Sequence, residues 1–185
     1  MTNKARMWRA GCVLAIAAAI LAAGLVLARK KVAAQQGRAS TRSRLVGTWQ
    51  LVSAEAEQNG QKIEFFGPHP VGVYVFDADG RYISQVMRGD LPKFASGNRY
   101  QGTPEENKAV VQGFIGYFGT YEVQEPNTLI LHMAASSYPN FDGTDQKRTI
   151  VINGDEMRYS SGGTSFGAVA RQVWRRMKPG EKLAK

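Results

Sequence analysis

Two short segments bracket the part of this chain that can fold: Leu45-Val46-Gly47-Thr48-Trp49 near its start and Val173-Trp174-Arg175-Arg176 near its end. Between them lie short β-like segments separated by tight-turn signals. A Gly-x-Trp on the first strand with an arginine on the last is a way for a small closed antiparallel barrel to seal one end. Closure removes the exposed strand edges, and a small barrel either fills with its own side chains or holds one small ligand. The pairing says much about fold and little about contents.

The 185 residues give room for one domain plus an appendage. A formal net charge of +9 suggests nucleic acid or membrane until the charge is located. Residues 1–44 hold Lys4, Arg6, Arg9, Arg29, Lys30, Lys31, Arg38, Arg42 and Arg44 and no acid, which is 9 of the 24 basic residues. From residue 45 onward, 15 basic residues stand against 15 acidic ones. The folded portion is formally neutral and lacks a basic footprint, so nucleic acid is rejected as its partner. Cys12 is the only cysteine, so no intrachain disulfide is possible and cysteine usage assigns no compartment.

Residues 1–10 form a basic N-terminal segment, and residues 11–28 carry no charge. Eighteen residues of helix rise about 27 Å, enough to cross a hydrocarbon core with flanking side chains snorkelling. The stretch reads as a transmembrane helix or a signal-peptide apolar region, and Val26-Leu27-Ala28 and Val32-Ala33-Ala34 resemble cleavage sites. Basic residues flank both ends, so charge does not fix orientation. The order basic, apolar, small points to export, with the domain anchored or released; a cytoplasm-facing anchor is the alternative. Residues 29–44 are expected to be a flexible basic linker, and residues 179–185 a disordered tail.

From residue 45 to about 178 the pattern is that of strands. Asn59-Gly60 marks a turn from Leu45–Ala56 into Gln61–Phe66, and Asp77-Ala78-Asp79-Gly80 joins Val71–Phe76 to Arg81–Arg88. Thr103-Pro104-Glu105-Glu106 is a capping box that opens a short helix over 104–113. Tyr117–Gln124, Leu129–Ser137, Arg148–Ile152, Glu156–Ser160 and Phe166–Met177 complete about nine strands. Neighbour-to-neighbour turns predict an all-β, antiparallel up-and-down β-barrel.

The segments Leu45–Ser53, Gly67–Gly72, Asp79–Arg81, Gln85–Arg88, Phe114-Ile115-Gly116-Tyr117-Phe118-Gly119-Thr120-Tyr121, Tyr138–Asn140 and Gly143–Arg148 carry a resemblance in order along the domain. They resemble the bacterial and fungal lipocalin-like domain family, a relative of the lipocalins within the calycin group. The likeness covers about residues 44–178 and implies a calycin-like barrel. It implies fold far more than activity, because fold does not carry function.

Trp49 is expected to pack across the barrel floor with Arg175 or Arg176 laid on its indole, and with Gly47 these residues form the structural closure. If Trp49 points inward, strand alternation turns Leu51, Ser53 and Glu55 inward too, unless a bulge shifts the register. An inward Glu55 would bond a ligand or act as a base; the competing reading leaves it in water past the barrel rim. The candidate ligand-binding residues are Glu55, Tyr74, Tyr82, Tyr117, His132 and Tyr159, since tyrosine hydroxyls on a cavity wall orient ligands in apolar pockets. His69 and His132, the only histidines, have no metal-ligand spacing, and the acids of 142–145 lack further calcium ligands. No metal and no cofactor is expected, and no catalytic residue is assigned. Gly163-Thr164-Ser165-Phe166-Gly167 has the Gly-x-Ser-x-Gly spacing, but it belongs to a glycine-rich hairpin end that precedes no helix, neither histidine has a sequence partner suggesting a triad, and no nucleotide-binding glycine spacing occurs.

Three functions remain open. A binding module would take up a small hydrophobic ligand, with membrane contact through 11–28 if that segment is uncleaved. A cofactor-free isomerase or cyclase would need an inward titratable group among Glu55, His132 and the cavity tyrosines. A barrel packed solid would instead serve as a structural or interaction module of the cell envelope.

Overall fold

The computed structural model describes residues 39–162, 164 and 167–183. The basic segment 1–10 and the apolar run 11–28 lie outside the described residues; among those described, no helix is long and apolar enough to cross a membrane.

The described residues form a nine-stranded antiparallel sheet closed on itself. β1 (Gly47–Gln58) is followed by β2 (Gln61–Ile63), β3 (Pro70–Phe76) and β4 (Arg81–Arg88). β5 (Phe114–Gln124), β6 (Thr128–Ser136), β7 (Asp145–Asn153), β8 (Glu156–Ser161) and β9 (Val169–Arg176) follow. β1 pairs with β3 on one side and β9 on the other, closing the ring, while β2 extends β1 alone. The expected up-and-down barrel is therefore the observed one, with a two-residue turn at Asn59-Gly60 setting β2 apart as an extra strand.

Helix α2 (Pro104–Gly113), taking α1 for the short helix below, starts at the expected capping box. Thr103 Oγ1 accepts from the Glu106 N–H at 3.2 Å, and the Glu106 carboxylate accepts from the Thr103 N–H at 2.8 Å. The Ala95 N–H donates to the same carboxylate at 2.8 Å, and the bonds from Ala95 first and Thr103 second hold the Glu106 carboxyl below the usual carboxylate range. The helix runs directly into β5.

Two expectations at the domain edges need correction. The flexible linker expected through residue 44 ends sooner, because Thr41–Leu45 forms helix α1 capped by the Ser40 hydroxyl. Leu45 is fully buried, Thr41 Oγ1 donates to the Pro126 carbonyl at 2.7 Å, and Arg44 Nη1 donates to the Ile152 carbonyl at 2.8 Å. The disordered tail expected from 179 is also pinned in part. Arg175 Nη2 donates to Glu181 Oε1 at 2.7 Å, and the Lys178 N–H donates to Glu181 Oε2 at 2.9 Å. Arg175 foremost, then that backbone bond, push the Glu181 carboxyl down to about 2.

At the α1 end the barrel is sealed. Trp49 is wholly buried and donates its indole N–H to the Leu45 carbonyl at 2.8 Å. The Arg176 guanidinium lies over the Trp49 ring, 4.1 Å from its centre, donates to the Val46 carbonyl at 2.7 Å, and also bonds the Arg44 carbonyl. Gly47, at φ +133°, makes the approach possible, since a Cβ there would stand 2.8 Å from Arg176 Nη1. Of the two arginines expected on Trp49, Arg176 occupies the ring; Arg175 instead bonds Gln50 and Glu181. Above this floor Tyr74 stacks on Phe76 at 4.5 Å and meets Trp174 edge-on at 5.1 Å, and Leu129, Leu131, Ile150 and Met157 fill the remainder.

Candidate functional site

At the opposite end the same strands leave space. A cavity of about 460 Å³ opens between the end of β2 and the segment that follows it (Ile63, Phe65, Phe66), the α2–β5 junction, the Pro139–Phe141 3-10 turn and the upper ends of β7, β8 and β9. Its rim is apolar, with Phe65, Val111, Ile115, Tyr138 and Phe141 around the opening. Deeper in, the wall is formed by Tyr117, Tyr159, Arg148, Gln172, Ser161 and Ala170, all buried.

Strand alternation explains who faces inward. On β7 the buried positions are Arg148, Ile150 and Ile152, so Arg148 shares the face of two core isoleucines. On β8 they are Met157, Tyr159 and Ser161, and on β9 Ala170, Gln172 and Trp174. Tyr159 lies directly opposite Gln172, and Arg148 opposite Ser161. The register thus draws Arg148, Tyr159 and Gln172 into one polar patch on an otherwise apolar wall.

The patch is well defined. Arg148 Nε donates to the Tyr159 hydroxyl at 2.6 Å, Nη1 to the Lys147 carbonyl at 2.9 Å, and Nη2 to Gln146 Oε1 at 3.3 Å. The Trp174 indole N–H donates to Gln172 Oε1 at 3.1 Å. Burial is the largest influence on Arg148 and works against its charge. The phenols of Tyr159, Tyr117 and Tyr74 tip the balance upward, above the ordinary guanidinium value, but only in their ionised form. Burial also pushes the Tyr74, Tyr82 and Tyr117 phenols up, so these hydroxyls keep their protons at neutral pH. Ser84, fully buried opposite Tyr117, sets its hydroxyl beside that phenol without forming a well-aligned hydrogen bond.

The six candidate ligand residues separate into three groups. Tyr117 and Tyr159 line the cavity. Tyr74 and Tyr82 lie in the packed layer beneath it, Tyr74 within 3.4 Å of the Tyr117 hydroxyl and Tyr82 donating to Met133 Sδ at 2.8 Å. Glu55 and His132 face away, and both expectations are corrected. A bulge shifts the β1–β9 register between Leu51 and Ser53, so Ala54 and Ala56 turn inward and Glu55 turns out to pair with Lys62 at 2.7 Å. His132 alternates with the core residues Leu131 and Met133, so it stands on the outer face and bonds Asp145 at 2.7 Å. Arg148 and Gln172 were not singled out by sequence. The signal was present in their parity: each sits two residues from an inward apolar neighbour, Ile150 and Trp174 respectively. Among the described residues, no cluster of three or more His, Cys, Asp or Glu is arranged to hold a metal ion.

Three comparisons bear on this arrangement. The family described as "Lipocalin-like domain" has a model that matches residues 46–176. The 4'-hydroxy-3'-methoxypropiophenone carrier protein ppsC of Aspergillus oryzae is 31% identical over 85 residues, spanning 42% of this chain and 77% of that protein. Among solved structures, a mutant of the fluorescent protein UnaG is similar at 13% identity and a TM-score of 0.34, covering 72% of this chain and 96% of that one.

Proposed function

The chain belongs to the lipocalin-like domain family, and from that premise we propose that it is a binding protein that carries a small hydrophobic molecule in the open end of its barrel. The observation that carries this reading is the cavity. Its volume of about 460 Å³ falls in the range of small-molecule sites, and an apolar rim above a few convergent polar groups is their usual composition. A barrel packed solid would have favoured a structural module, but only the sealed half is packed so. The carrier relative supports the same reading, since the ligand it is named for is a small aryl ketone. The isomerase or cyclase alternative loses Glu55 and His132, which face outward.

The carrier acts outside the cytoplasm, released or tethered through residues 11–28. Support comes from the order of the N-terminal sequence: a basic segment, an uncharged run of 18 residues, then small residues.

Native mass spectrometry of the full chain, purified gently from its own host, tests the binding reading. A reproducible added mass that disappears on denaturation is expected. A bare polypeptide in every preparation, with no uptake of an offered aryl ketone, overturns it. Fractionation of the same host tests location, and recovery of the protein solely from the cytosol refutes export.

A further inference from the structure

Arg148 is a buried cation with no counter-charge. It is 8% exposed, and no carboxylate pairs with it among the described residues. All three of its protein partners are neutral: a phenol, a backbone carbonyl and an amide oxygen. A guanidinium has five N–H donors, so these three bonds leave two N–H groups without an acceptor among the described residues. Taking an ion out of water is unfavourable unless an opposite charge meets it, and Arg148 lines the wall of the cavity.

The neighbouring groups point the same way. Tyr159 accepts from Arg148 Nε, so its own O–H is left to donate. Gln172 accepts from Trp174 through its amide oxygen, so its NH₂ is what it offers. The deep patch therefore presents donors from Arg148, Tyr159 and Gln172, and it carries one positive charge. An ionised carboxylate is the complement: it only accepts, it carries one negative charge, and its two oxygens match the planar guanidinium fork.

Building on the carrier reading, we infer that the ligand is an apolar molecule bearing a carboxylate, bound head-down with its carboxylate on Arg148, Tyr159 and Gln172 and its apolar body toward the rim. The sealed half of the barrel gives the head no exit, and Phe65, Ile115 and Phe141 give the body apolar walls.

Naphthalene-2-carboxylate and naphthalene-2-carboxamide share one shape and differ in charge, and calorimetric titration of both into the full chain tests the inference. The wild type is expected to bind the carboxylate roughly ten- to a hundredfold more tightly, the range for a hydrogen-bonded charge. Arg148→Met should abolish that preference while holding carboxamide affinity within about threefold, since the apolar contacts remain. Should Arg148→Met fail to fold, Arg148→Lys keeps the charge without the fork and should narrow the preference. Equal affinity for the two probes in the wild type overturns the inference and leaves the carrier reading standing. A carboxylate preference unchanged in the folded Arg148 variant also overturns it. Binding of neither probe overturns this inference, and native mass spectrometry then decides the carrier reading separately.

Discussion

The two ends of this barrel are built from the same strands and do opposite things. Followed from the sealed end to the open one, the inward residues of β1 read Trp49, Leu51, Ala54 and Ala56. Those of β9 read Trp174, Gln172, Ala170; those of β8 read Met157, Tyr159, Ser161; those of β7 read Ile152, Ile150, Arg148. Each column passes from large and apolar to small or polar. The inward side chains lose volume towards the open end, and there β1 also parts from β3, their pairing running only from Gly47–Phe76 to Gln50–Val73 before β1 takes β2 as its neighbour. The lesson is that the same strands serve both ends, and falling side-chain volume together with the parting of β1 from β3 divides core from cavity.

If that division is real, substitutions at the two ends should have separable effects. The largest is expected from Trp49→Ala, which removes a wholly buried indole and the surface on which Arg176 rests. Unfolding by denaturant should show a loss of about 3–5 kcal/mol, with probe affinity of the folded fraction nearly unchanged. A matching collapse of affinity would break the separation. Next comes Arg176→Met, which deletes the guanidinium over the indole and its bonds to two backbone carbonyls. Its cost is expected at roughly 1–3 kcal/mol, because a cation–π contact and charged hydrogen bonds are lost together. Arg176→Lys should recover little of it, since an ammonium cannot reach both carbonyls and cover the ring.

Ala170→Leu works in the other direction. Placed on the cavity wall, the larger side chain enters empty space, so stability should shift by about 1 kcal/mol or less. Ligand affinity should drop by about tenfold or more, read by calorimetry, as wall contacts are displaced. Unchanged affinity would place the ligand elsewhere. The smallest effect is expected from Glu181→Gln, next to the sealed end. The carboxyl is held down to about 2, chiefly by Arg175. A carboxyl lowered on folding adds stability above its unfolded value, near the ordinary 4.3, and loses it as the pH falls from there through 2. The small difference in melting temperature between wild type and variant should therefore be present at pH 7 and vanish towards pH 2.

The closure of the barrel was legible in the linear chain because it rests on side chains with few alternative uses. A tryptophan after a glycine at one end and an arginine at the other became Trp49 and Arg176 in contact. The capping box at Thr103 was legible for the same reason, as its bonds span three residues and depend on no distant partner. Glu55 stood between an inward and a solvent-facing reading because alternation holds only as far as a bulge, and a bulge is set by the two strands together. Arg148 was readable in principle from its parity with Ile150 and Ile152, but a charged residue after Lys147 looks like a solvated strand end. Helix α1 was the least readable feature. Its five residues are mostly polar, and it is held by carbonyls of Pro126 and Ile152, some 80 to 110 positions away.

That short helix also sets the mechanics of the molecule. The chain enters the barrel through Thr41–Leu45, at the sealed floor and away from the rim. A pull on the chain from its N-terminal side is taken up first by Thr41 on Pro126, Arg44 on Ile152, and Arg176 on Val46. These bonds must give way before β1 can be peeled from β3 and β9. None of the residues in those three bonds lines the cavity, so the chain's point of entry and the ligand's are kept at opposite ends.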